Sequence, residues 1–164
     1  MNAVQFAPRA REYYGVDISA DSLAECAKQC AAVKAESFVP VLIEATDPDG
    51  ARAQIHGPVD LFISTYVFEL IPSPEYGLRL LQLAYDLLRQ GGIALVQVRY
   101  HSGRLHELSK RTNYNANLVR MTTYALDEFW TACEDIGFHP AFIKLVPEQP
   151  ELGEERYAYY VLVK

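Results

Sequence analysis

The sequence predicts an α/β fold: a doubly wound, mostly parallel sheet with an antiparallel terminal strand. Three observations carry this. Short apolar runs alternate with segments of helical periodicity along the 164 residues. The run at 59–65 is apolar on both faces, the mark of a strand buried in a parallel sheet. The last two strand-like runs, 140–146 and 157–163, are joined by a Pro/Glu-rich loop, which allows an antiparallel pair at one edge.

Each element has its own signal. Residues 1–11 read as the tail of a helix with Val4, Phe6 and Ala7 inward and Pro8 ending it. Residues 12–17 are a strand. A helix follows over 20–34, with Leu23, Cys26, Ala27, Cys30 and Val33 at three- and four-residue steps. Ser19 or Asp21 can cap it, and Ser22 with Glu25 has capping-box spacing. A short strand over 38–44 leads into the turn residues Thr46–Gly50. After the strand at 59–65 comes a helix over 74–89, with Leu80, Leu81, Ala84, Leu87 and Leu88 on its apolar side, and Gly91 or Gly92 is expected to supply its left-handed stop. A buried strand spans 93–99. The polar segment from about 100 to 121 breaks the rhythm and carries, with Arg99 at its edge, His101, Arg104, His106, Lys110, Arg111 and Arg120. The helix 125–136 buries Leu126, Phe129, Trp130, Cys133 and Ile136, and Gly137 stops it.

Composition narrows the functional classes. The formal charge of −6 and pI of about 5.2 argue against a general nucleic-acid or anionic-membrane binder. No run approaches the roughly 20 apolar residues of a membrane span. The odd count of cysteines, Cys26, Cys30 and Cys133, makes no disulfide framework, so a cytoplasmic setting is expected. Cys26 and Cys30 share one helix face without further His or Cys ligands nearby, which makes them small core residues rather than a metal site. The histidines have no metal spacing.

Asp17 ends the first strand, where open α/β sheets place their ligands, and a carboxylate there can accept both hydroxyls of a ribose. The ordinary alternative is an acid at a helix start. Glu44-Ala45 ends the next strand, with Asp47 the nearby alternative acid.

Gly15-Val16-Asp17-Ile18-Ser19 and Leu87-Leu88-Arg89-Gln90-Gly91-Gly92-Ile93 resemble the second-strand motif and the helix end before the fifth strand of class I S-adenosylmethionine (SAM) methyltransferases. The resemblance implies a Rossmann-like methyltransferase fold, with Asp17 and Ile18 at the ribose of SAM, Glu44 and Ala45 on the adenine side, and Ser64, Thr65 and Tyr66 near the donor end. Tyr66, Tyr100 and His101 are the candidates for acid–base work, His101 because it titrates near neutral pH. The stretch after Ser64 lacks the planar-amine motif of the base and amide methyltransferases, so a small-molecule substrate is expected. For Phe68 a core role is the expectation.

The family's first strand and Gly-x-Gly-x-Gly turn have no counterpart in this sequence, so it is expected to be one methyltransferase-like domain, N-terminally truncated. The resemblance puts the absent strand between those at 12–17 and 59–65. These two are therefore expected to pair directly, to be bridged by a homodimer, or to be completed by another segment. The alternative function is a non-catalytic methyltransferase-like module acting as a partner or scaffold subunit.

Overall fold

A computed structural model describes residues 2–101, 121–148 and 156–164. They form two compact units, Met1–Gly57 and Pro58–Lys164.

In the first unit, helix α1 (Asn2–Phe6) runs into a 3-10 turn at Ala7–Arg9, then strand β1 (Tyr13–Asp17), helix α2 (Ala20–Ala32) and strand β2 (Phe38–Leu42). β1 and β2 pair in parallel, with Asp17 opposite Leu42. Ser19 is the cap of α2: its hydroxyl accepts the Ser22 N–H at 3.2 Å, and Asp21 takes the first turn instead. One buried cluster is made of small residues, Ala3, Ala7, Cys30 and Ala35, with Tyr13, Cys26 and Phe38 packed on them; Leu23, Val41, Ala51 and Ile55 are buried as well. Val33, expected inward, lies past the end of the helix and is 42% exposed. The helix ends there because Lys34 turns left-handed at φ 58°.

The second unit contains strand β3 (Val59–Ser64), helix α3 (Pro74–Leu87), strand β4 (Leu88–Arg99), helix α4 (Leu126–Ile136) and strands β5 (His139–Val146) and β6 (Tyr157–Val163). Its sheet has the order β3-β4-β6-β5. β3 and β4 are parallel, while β6 runs antiparallel to both β4 and β5, as the terminal pair predicts. Alternate residues of the strands face one side, where Ala94, Val96, Val98, Ala158, Tyr160 and Leu162 meet Leu81 and Ala84 of α3 and Phe129 and Cys133 of α4. The opposite face is more open: Leu61 pairs with Ile93, and they are 46% and 40% exposed.

One expectation is corrected. α3 stops at Leu87 because Leu88 turns extended (φ −70°, ψ 142°), so neither Gly91 nor Gly92 caps the helix. Gly91 carries its positive φ inside the extended segment. Gly92 is tight for another reason: a Cβ there would meet the Arg89 carbonyl at 2.9 Å. Each of the strands expected at 12–17 and 59–65 has a partner in its own unit: β1 pairs with β2, and β3 with β4. Gly137, by contrast, ends α4 at φ 111° as expected.

Candidate functional site

The carboxyl edge of each sheet gathers its own group of candidate residues. In the first unit, Asp17 closes β1. Its Oδ1 accepts the Ser19 N–H at 2.8 Å, and its carbonyl accepts the Ile43 N–H at 3.1 Å. The turn fixes the carboxylate at the start of α2, and a second oxygen remains chemically able to accept a ligand hydroxyl. Ile18 is 56% exposed beside it. The strand expected to reach Glu44 stops at Leu42, so Glu44 and Ala45 lie just past it, after Ile43, and are exposed; Glu44 bridges to Asp47 across a tight turn. Asp17–Ile18 and Glu44–Ala45 therefore share one edge, at the ends of adjacent parallel strands. That is the placement at which α/β sheets bind nucleosides.

In the second unit, Ser64 ends β3 on the helix-covered face beside Val96 and is 7% exposed. The chain then reverses side. Tyr66 takes a left-handed backbone conformation, φ 59°, with its ring 56% exposed. For a non-glycine residue that conformation costs about 1–3 kcal/mol and persists where surroundings enforce it. Here the enforcing contact is visible: the Tyr66 N–H donates to Oε1 of Gln97 at 3.1 Å. Just beyond, Phe68 is wholly buried against Tyr124 and Phe129, in the core as expected. The neighbouring segment holds the loop from the other side, with Thr122 donating its N–H to the Glu69 carbonyl at 2.8 Å and its hydroxyl to the Ile71 carbonyl at 2.7 Å.

Tyr100 and His101 leave β4 at this same edge. Tyr100 bridges to Tyr124 and packs on the core, and the His101 N–H donates to the Tyr124 carbonyl at 3.1 Å. Of the basic segment, Arg104, His106, Lys110, Arg111 and Arg120 lie outside the described residues.

Two polar residues escaped the sequence reading. Glu69 is 5% exposed and Gln97 2%. Tyr157, directly opposite Arg99 on β6, hydrogen-bonds Glu69, and its ring meets that of Tyr66 edge-on at 5.6 Å. Burial, then the Glu69 carboxylate, push the Tyr157 hydroxyl well above the ordinary phenol range, while Arg99 opposes this. The signal was present in the sequence: Gln97 is the lone polar residue in Ile93–Val98, and Glu69 interrupts Phe68 and Leu70.

Among the described residues, no group of His, Cys, Asp and Glu is placed to hold a metal ion. No helix among them is long and apolar enough to cross a membrane.

No family model matches the sequence, and no curated protein does. Solved structures do. The magnesium protoporphyrin IX methyltransferase ChlM from Synechocystis, determined with bound S-adenosylhomocysteine (SAH), superposes with a TM-score of 0.68 at 16% identity, over 99% of this chain and 68% of that one. The SAM-dependent methyltransferase SibL, in its apo form, gives 0.64 at 18% identity, over 100% of this chain and 47% of its own length. A SAM-dependent methyltransferase from Methanosarcina mazei gives 0.69 at 9% identity, over 98% of this chain and 86% of that chain. The chain thus spans about half of SibL and two-thirds of ChlM. Strand order, the antiparallel β6 and these superpositions agree: the chain has the fold of the class I SAM-dependent methyltransferases.

Proposed function

We propose that this chain is the nucleoside-binding and acceptor-facing part of a methyltransferase that acts on a small molecule. The observation that carries the reading is the pair of carboxylates at the ends of β1 and β2. Asp17, already oriented by the Ser19 N–H, would accept the ribose hydroxyls of SAM. Glu44, exposed on the adjacent strand end, would accept the adenine amino group. Both groups are acceptors, and a nucleoside offers donors at those places, so the residues present fit it. Ile18 supplies an apolar surface for the base, and Ala45 leaves room beside it. When bound, SAM supplies an electrophilic methyl group. The chain's own contribution is alignment of the acceptor, since transfer to a ready nucleophile needs positioning more than covalent catalysis. Ser64, Thr65 and Tyr66, with Tyr100 and His101 at the same edge of the second sheet, are the acceptor-side candidates.

The second reading is a non-catalytic module. It is favoured by the edges of β1 and β3 that carry no partner strand among the described residues, and by exposed apolar side chains on those strands, Val16 at 43% and Leu61 at 46%. Unpaired edges recruit strands. A segment of the same protein, a second copy or another chain would close them.

Titration calorimetry with SAH separates the two. The enzyme reading expects binding that Asp17→Ala weakens by about 1.5–3 kcal/mol, the worth of a charge-assisted hydrogen bond. Because one edge of β1 has no partner strand among the described residues, affinity is expected to be weak for this chain and stronger once that edge is paired. Absence of SAH binding when the edge is paired leaves the scaffold reading. Binding unchanged by Asp17→Ala removes Asp17 from the site.

A further inference from the structure

The carboxamide of Gln97 has one half employed and one half idle. Its Oε1 accepts the Tyr66 N–H at 3.1 Å, which leaves Nε2 with its N–H donors. That nitrogen is buried and has no hydrogen-bond partner among the described residues. An unsatisfied buried donor is a standing cost to the fold. A Met or Leu at position 97 would avoid that cost on a strand whose neighbours are Val96 and Val98. The residue also sits where a ligand belongs, two positions before the end of β4 and beside the end of β3.

Its surroundings define what would satisfy it. Gln97 lies opposite Tyr159, and Arg99 opposite Tyr157, on the sheet face away from α3 and α4. Tyr66, tethered to Gln97 and held left-handed, presents an exposed ring whose edge-on partner is Tyr157. Tyr157 is itself fixed by Glu69. The corner therefore offers flat aromatic surface next to one dedicated donor, which is the complement of a planar aromatic molecule carrying an oxygen acceptor.

We infer that Gln97 and Tyr66 form a binding site for an aromatic hydroxyl compound, its ring against Tyr66 and its oxygen accepting from Gln97 Nε2. This rests on the methyl-transfer reading for the use made of the bound molecule, as the methyl acceptor, but not for its binding.

The test uses the whole chain and p-cresol, with toluene as the probe that keeps the ring and lacks the oxygen. In ¹⁵N-resolved NMR, millimolar p-cresol is expected to move the two side-chain amide proton signals of Gln97, while toluene does not. Gln97→Met should weaken p-cresol binding about 3- to 10-fold, the worth of one neutral hydrogen bond, and leave toluene unaffected. Gln97→Glu, which keeps an acceptor for the Tyr66 N–H and removes the donors, should do the same and guards against a folding defect in the first variant. Gln97 signals that stay in place with p-cresol overturn the assignment, as does p-cresol binding by both variants as tight as that of the unsubstituted chain. Cresol binding without any SAH binding, with the β1 edge paired, would sink the methyl-transfer reading alone. SAH binding with silent Gln97 signals would sink this site alone.

Discussion

Replacing Phe68 by Leu tests whether the loop after β3 is held from beneath. Phe68 is fully buried, with ring neighbours Tyr124 at 6.1 Å and Phe129 at 6.1 Å, the latter edge-on. Losing two aromatic contacts at about 0.5–1.5 kcal/mol each gives about 1–3 kcal/mol. The few tens of Å³ left empty add about 0.5 kcal/mol, at roughly 24 cal/mol per Å³. The expected loss is therefore about 1.5–3.5 kcal/mol, a large share of a domain's roughly 5–15 kcal/mol. The single tryptophan, Trp130, lies in the second unit at 6.4 Å from the Tyr160 ring, so its fluorescence reads that unit. With a urea slope of about 1–3 kcal/mol per molar, the midpoint should fall by roughly 1–2 M. Val67→Ala is the control, since Val67 is 42% exposed and its loss should cost about 0.5 kcal/mol or less. A Phe68→Leu midpoint no lower than that of the control would refute the reasoning. It would mean that Phe68 does not anchor the loop bearing Tyr66 and Glu69.

Two further outcomes follow from buried groups and backbone. Burial, then Glu134, push the Cys133 thiol from 9.0 up to about 12. A thiol that holds its proton more tightly when folded makes stability fall as pH rises from 9.0 towards about 12. At about pH 10 the loss is on the order of 1 kcal/mol, and Cys133→Ala should remove it from urea midpoints compared at about pH 8 and pH 10. Tyr124 and Tyr160, raised by burial, leave a residual slope of the same sign. Gly137→Ala should lower the thermal midpoint by several degrees. It forces an L-residue to φ 111° and sets a Cβ 2.8 Å from the Tyr85 hydroxyl, for about 1–2 kcal/mol from the backbone alone; an unchanged midpoint would contradict this.

The elements were legible where a pattern had one meaning. β6 begins and ends at residues 157 and 163 as read, because Tyr157–Val163 has strand-forming residues throughout and is bounded by a Pro/Glu-rich loop. The end of α3 was misread because Leu87 and Leu88 both continue the helical stripe, and nothing local announces that Leu88 will turn extended. In the sheet Leu88 pairs with Val59, a tertiary contact that overrides the local pattern. Site residues divide similarly. Asp17 and Glu44 were visible because they end strands. Gln97 and Glu69 were not, because their meaning lies in what surrounds them. A polar residue in an apolar run signals a satisfied core group or a functional one, and the two separate only when the idle Nε2 of Gln97 is seen. The left-handed Tyr66 is likewise a product of the Gln97 contact, with no glycine or asparagine to advertise it.

The two units differ in how they are built, and this gives a last prediction about the nucleoside site. The second unit closes a four-stranded sheet with large side chains, among them Phe68, Leu81, Phe129 and Tyr160. The first has two strands, and half of its buried apolar residues are alanines: Ala3, Ala7, Ala35 and Ala51 beside Leu23, Cys30, Val41 and Ile55. Two-stranded sheets are marginal in water, and alanine contributes little apolar area, so β1 and β2 should open more readily than β4 and β6. Amide hydrogen exchange should show Val16 and Val41 exchanging faster than Val96 and Tyr160. The placement of Asp17 and Glu44 on the weaker sheet then has a thermodynamic consequence. A ligand that binds only the closed form at 100 times its dissociation constant adds about 2.7 kcal/mol and slows exchange about 100-fold. SAH should protect the β1 and β2 amides selectively, and Asp17→Ala should cut that protection to about 10-fold or less at the same SAH concentration. Equal slowing of β4 and β6, or none in β1 and β2, would show that the nucleoside does not bind at this edge.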